Sequence, residues 1–137
     1  MHAGAAVTKV RLKPEDGWAV DVAAVAAAMR PNTKLILLNQ PWNPAGALMP
    51  RADQERLIDV ARRAGAFILC DEVYRLLEHD PKDRLPAMAD AYERGISVVA
   101  LSKPFGAGGT SLGWLATRCH GTRRTRVDAQ TFGRVAH

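Results

Sequence analysis

The sequence predicts an α/β fold, a three-layer sandwich built on a mostly parallel sheet. Short apolar runs of strand length, such as Leu35–Leu38 and Ala66–Cys70, alternate with stretches of helical periodicity. Strand–helix alternation of this kind winds a parallel sheet with helices packed against it. The runs are apolar at successive positions, which fits strands buried on both faces. A third observation bears on function. Asn43, Asp71 with Tyr74, and Lys103 each fall just after an apolar run, and in such sheets ligands sit beyond the carboxyl ends of the strands. These residues are expected to converge at one edge of the sheet.

The elements follow in order. Val7 to Leu12 alternates imperfectly and suits a short strand. Pro14-Glu15-Asp16-Gly17 is a turn signal. Asp21 is placed to cap a helix over Val22 to Met29, where Val22, Val25 and Met29 recur at helical spacing. Arg30-Pro31-Asn32 ends that helix, and Thr33 to Leu38 is the next strand. Asn39 to Gly46, with Trp42 inside it, is a loop by composition. Pro50 to Ala64 is an amphipathic helix with Leu57, Ile58, Val60 and Ala61 on or beside one face, and Gly65 is its natural C-cap. Ala66 to Cys70 reads as a buried strand ending in Asp71-Glu72-Val73-Tyr74. After the charged stretch His79 to Arg84, a short helix is expected over Pro86 to Arg94, closed by Gly95. The strand Ile96 to Leu101 then delivers Ser102 and Lys103. The glycines at 106, 108, 109 and 113 let the following backbone turn sharply and approach a ligand closely.

Length and charge bound the alternatives. A chain of 137 residues fits one domain with a real core. No apolar run is long enough to span a membrane, and the N-terminus lacks the pattern of a secretory signal. The net charge of +5 invites a nucleic-acid reading. Most of it resides in residues 117–137, where Arg118, Arg123, Arg124, Arg126 and Arg134 face the single acid Asp128. The body is near neutral, which argues against a nucleic-acid partner. We therefore divide the chain at residue 116, with residues 117–137 as a basic, disordered tail. Cys70 and Cys119 make no disulfide framework, so a reducing cytoplasm is expected, and the scattered histidines give no metal-ligand spacing.

A lysine at the edge of a dry pocket can lose its proton and act as a nucleophile. The residues around it have ordinary uses as well: Asp71 as a helix N-cap, Tyr74 in the core, Asn43-Pro44-Ala45-Gly46 as a plain turn. Taken together, Asn43-Pro44-Ala45-Gly46, Asp71-Glu72-Val73-Tyr74 and Ser102-Lys103 resemble the motifs of the class I and II aminotransferases. The spacings, 28 residues from Asn43 to Asp71 and 32 from Asp71 to Lys103, resemble that family too. The resemblance runs over most of residues 4 to 116 and implies a partial large domain of a fold type I pyridoxal-phosphate enzyme. It implies that Lys103 forms a Schiff base with the cofactor and then shuttles a proton. It further implies that Asp71 keeps the ring nitrogen protonated, and that Tyr74 and Asn43 hydrogen-bond the ring's phenolic oxygen. The substrates implied are an amino acid and a 2-oxo acid, and the family is typically homodimeric.

Two departures qualify the expectation. The family pattern places a phosphate-gripping arginine eight residues after the lysine and a hydroxyl residue three before it. Here those positions are Ser111 and Ala100. Ser102, Thr110 or Ser111 hydroxyls are the candidate replacements, and the change opens lyase, oxidase or cyclase chemistry as an alternative to amino transfer. The resemblance also implies chains about three times this length, judged against typical domain sizes. A truncated product with weak or absent catalysis of its own is therefore expected. A non-catalytic sensor or an inert remnant is the remaining alternative, and exposed apolar surface would be the remnant's sign.

Overall fold

In the computed structural model, which describes residues 4–118, four strands form one sheet in chain order: β1 (Leu35–Asn39), β2 (Phe67–Asp71), β3 (Gly95–Ala100) and β4 (Gly113–Thr117). The first three are parallel, and β4 returns antiparallel to β3. The helices are α1 (Val22–Ala28), α2 (Arg51–Ala64) and α3 (Met88–Ala91). Asp21 caps α1 as expected, its Oδ1 accepting the Ala24 amide at 2.9 Å. Gly65 ends α2 in the left-handed conformation, φ 64°, where a Cβ would be strained.

One core cluster joins all three helices to one face of the sheet. Val22 from α1, Leu57 and Ala61 from α2, and Met88 from α3 meet Ile68 and Cys70 of β2. Successive strand residues face opposite ways, so Leu35, Leu37, Phe67 and Leu69 belong to the other face. Leu35 and Leu37 are 49% and 73% exposed. Burial of Leu35–Leu38 on both faces is therefore not found. The described residues supply the sheet and one helical layer of the sandwich.

Three elements depart from expectation. Val7 to Leu12 is not a strand: Val7 is 78% exposed, and no strand among the described residues accepts its backbone groups. Alternation alone cannot supply a partner. The helix expected over Pro86 to Arg94 is confined to Met88–Ala91, because the chain leaves helical geometry at Tyr92. That exit sends the Tyr92 ring into the core, where its hydroxyl donates to the Ala66 carbonyl at 2.8 Å. Gly95 opens β3 rather than closing a helix. A Cβ there would lie 2.0 Å from the Met88 carbonyl oxygen. Strand β4 runs to Thr117, one residue beyond the expected boundary at 116. The disorder expected for the tail concerns residues that, after Arg118, lie outside the described part.

Candidate active site

The carboxyl ends of β1, β2 and β3 carry the candidate residues. Asn39, the last residue of β1, pairs in register with Asp71, the last of β2, and Asp71 pairs with Val98 of β3. The Asn39 side chain works in both directions. Its Nδ2 donates to the Asp71 carbonyl at 2.9 Å, and its Oδ1 accepts the Asn43 amide at 2.8 Å. Gln40 adds a backbone donation to the same carbonyl at 3.0 Å, and its Oε1 accepts the Met49 amide. The loop bearing Asn43 is thus tied to the end of β2. Its base is closed by the Trp42–Ala47 bridge, and Trp42 packs against Trp18 with ring centres 5.4 Å apart.

Asp71 lies between Cys70 and Glu72, both turned to the helical side, so its carboxylate belongs to the open face. Its Oδ1 accepts the Val73 amide at 3.2 Å, and no hydrogen bond reaches its Oδ2 among the described residues. The local bond shapes a turn rather than a helix, so the N-cap reading fails. That turn carries Tyr74, whose half-buried ring centre lies 5.7 Å from the Lys103 Nζ, within reach of a cation–π contact. Lys103 itself sits in the turn after β3, closed by Gly106 N–H donating to the Lys103 carbonyl at 3.3 Å. It is exposed, so the described residues do not enclose it in a dry pocket.

The structure thus ties Asn43 to Asp71 through Asn39, and Tyr74 to Lys103 directly. Ser102 and Ser111 stand apart. Ser102 is half-buried in the Lys103 turn, and Ser111 is exposed at φ 48°. Neither hydroxyl makes a hydrogen bond among the described residues. Thr110 is occupied locally, its hydroxyl donating to the Ala107 carbonyl at 2.8 Å. Cys70 is buried, and burial beside Glu72 and Asp71 pushes its thiol well above the ordinary range, as suits a core residue rather than a nucleophile.

Sequence reasoning missed two positions. Asn39 looked like the start of a loop, and only the strand register shows what its amide bridges. Glu72 was passed over beside Asp71, yet it is buried and bonded to α3 and β3. The available signal was strand alternation, which puts Glu72 on the same side as Ile68 and Cys70.

The sheet thus carries a carboxylate at the end of β2, a lysine in the turn after β3, and a phenol ring beside that lysine. The donor set fits pyridoxal phosphate: a carboxylate oxygen without a hydrogen-bond partner among the described residues, an amine, a phenol and hydroxyls beyond one sheet edge. The family model for aminotransferase class I and II matches residues 1–133, and the chain belongs to that family. The match runs through most of the segment separated above as a tail. Arginine–pyruvate transaminase of Pseudomonas aeruginosa is 37% identical over 116 residues, covering 82% of this chain and 29% of that protein. Capreomycidine synthase of Streptomyces vinaceus is 32% identical over 112 residues, with coverages of 82% and 28%. A PLP-dependent aminotransferase structure from Streptococcus suis superposes with a TM-score of 0.71 at 38% identity, covering 77% of this chain and 28% of that one. The chain therefore spans less than a third of the length of these relatives. Pyridoxal phosphate is the cofactor that membership implies. Among the described residues, no helix is long and apolar enough to cross a membrane, and no cluster suits a metal ion.

Proposed function

We propose that this chain supplies a cofactor-holding segment of a pyridoxal-phosphate-dependent aminotransferase, which moves an amino group from an amino acid to a 2-oxo acid. The observation that carries the reading is Lys103 Nζ over the Tyr74 ring, one strand away from the open-face carboxylate of Asp71. When bound, the cofactor supplies an electrophilic aldehyde and an electron-accepting ring. Lys103 Nζ would offer the amine that holds it and a base for the Cα proton. Asp71 Oδ2 would offer negative charge to a ring nitrogen and so favour its protonated form. Tyr74 and Asn43 offer a hydroxyl and an amide to the ring's oxygen, and Ser102 and Ser111 offer hydroxyls to the phosphate. A homodimeric assembly and a cytoplasmic setting belong to the same reading.

One observation favours a second chemistry. Ser111 stands where the family pattern has arginine, and the matched relatives include one named a synthase rather than a transaminase. Loss of a bidentate phosphate grip suits a lyase, oxidase or cyclase on the same site.

Incubation with pyridoxal phosphate, borohydride reduction and peptide mapping test the reading. The expected result is a cofactor absorbance band with the label on Lys103, both lost in Lys103→Ala. A label spread over many lysines would sink it and leave a non-catalytic remnant. Amino transfer against lyase or cyclase products would then separate the two chemistries.

A further inference from the structure

Among the described residues, Glu72 is the buried acid next to the site, and the chemistry above does not use it. It is 4% exposed, on the helical side of the sheet, directly after Asp71. Its Oε1 accepts two hydrogen bonds, from the Met88 amide at 2.7 Å and the Ser97 hydroxyl at 2.9 Å. Ser97 Oγ in turn accepts the Ala89 amide at 3.0 Å. One carboxylate oxygen therefore fastens the end of β2 to the first turn of α3 and to the middle of β3. The other oxygen, Oε2, has no hydrogen-bond partner among the described residues. Glu72 is also among the residues lining a cavity of about 30 Å³, with Leu38, Gln40, Cys70 and Met88. Arg75 Nη1 is 3.9 Å from Oε2, but donates instead to the Leu85 carbonyl at 2.7 Å.

Burying a carboxylate with one unsatisfied oxygen costs stability, and an apolar residue of similar volume would pack without that cost. What the carboxylate secures is direction. Asp71 is the last residue of β2, and a one-residue slip beyond it would exchange the faces of its neighbours. Glu72 is the first residue past the strand, with its amide donating to the Val98 carbonyl at 2.9 Å. The Arg75 amide donates back to the Glu72 carbonyl at 2.9 Å, closing the turn that carries Tyr74. With the Glu72 side chain pinned behind the sheet, Asp71 must face the open side and Tyr74 must follow at a fixed angle.

We propose that Glu72 is a positioning residue for the cofactor site: its carboxylate, bonded to Met88 N–H and Ser97 O–H behind the sheet, fixes Asp71 on the open face and Tyr74 beneath Lys103. This rests on the functional reading above. Four full-length variants test it: Glu72→Ala, Glu72→Gln, Ser97→Ala and, as a control for general stability, Val60→Ala in α2. Three quantities are read: pyridoxal-phosphate affinity by absorbance titration, the fraction of borohydride label on Lys103, and hydrogen exchange at the Met88 amide without cofactor.

Glu72→Ala is expected to weaken cofactor affinity roughly tenfold, at the low end of losses seen for residues that orient a binding group, and to spread the label. The Met88 amide should exchange faster. Glu72→Gln keeps an oxygen for both donors and should bind close to wild type, while Ser97→Ala should fall between. Val60→Ala should lower stability without moving the label. Wild-type affinity in Glu72→Ala, equal losses in the Gln and Ala variants, or an equal loss in Val60→Ala would each overturn the inference. If Glu72→Ala does not fold, unchanged affinity in Ser97→Ala overturns it. Wild-type protein that never labels Lys103 overturns the functional reading and this inference together; a labelled wild type with an indifferent Glu72→Ala overturns the inference alone.

Discussion

At the scale of single residues, Glu72 is where burial and hydrogen bonding pull in opposite directions. Desolvation raises its pKa above the ordinary 4.5, the Met88 amide, the Ser97 hydroxyl and Arg75 pull it down, and Asp90 adds a smaller push upward. Burial wins. A carboxyl with a raised folded-state pKa binds more protons folded than unfolded just above its ordinary value, so stability falls as pH rises through that window. The contribution is present in full below the unfolded pKa and is lost by the time pH has passed the folded one. Glu72→Gln removes the titration and leaves the shape. Urea unfolding from about pH 4 to about pH 7 should therefore show wild type losing stability relative to Glu72→Gln as pH rises from the ordinary carboxylate range. Parallel stability profiles for the two proteins would mean the carboxyl is not shifted upward on folding.

At the scale of elements, the junction between α3 and β3 leaves no room for a side chain at Gly95. Gly95 lets the strand start against the carbonyl of Met88, where a Cβ would come to 2.0 Å and the blocking atoms are backbone. Gly95→Ala must push α3 away from β3, and should cost about 3 kcal/mol, the upper range for overpacking a core. Denaturant midpoints would show it, and a change below about 1 kcal/mol would mean the junction relaxes freely. The same junction shows what could be read in advance. Local signals were sufficient for the Asp21 cap, the Gly65 C-cap and the whole of α2, because each depends on residues within a turn or two. The Asp71, Tyr74 and Lys103 positions were legible because motif and strand end coincide. Gly95 was mistaken for a helix terminator because a glycine needed for close packing looks like one needed for a turn. Val7–Leu12 failed for the reason Asn39 was missed: whether a backbone finds a strand partner, or an amide finds Asp71 and Asn43, depends on segments far away in sequence.

At the scale of the whole molecule, the sheet has two unlike faces. The helical side holds the core cluster. The open side presents Leu35 and Leu37 to solvent, with Phe67 and Leu69 half-buried beside them, and it ends in Asn39 and Asp71. The apolar character of this face follows from the continuous Leu35–Leu38 run, whose pattern suits a strand buried on both sides. The sequence is written for burial that the described residues do not provide, in a chain covering under a third of its relatives' length. Contiguous exposed aliphatic surface attracts other apolar groups. The chain should accordingly bind an apolar fluorescent dye while folded, and Leu37→Lys should reduce that signal by placing a charge at the centre of the patch. Leu37 is 73% exposed, so the substitution should leave the urea midpoint within about 0.5 kcal/mol of wild type, as surface changes do. A fall in dye binding with unchanged stability would locate the patch on the open face. Dye binding untouched by Leu37→Lys, or a large loss of stability, would mean that face is covered in the folded chain.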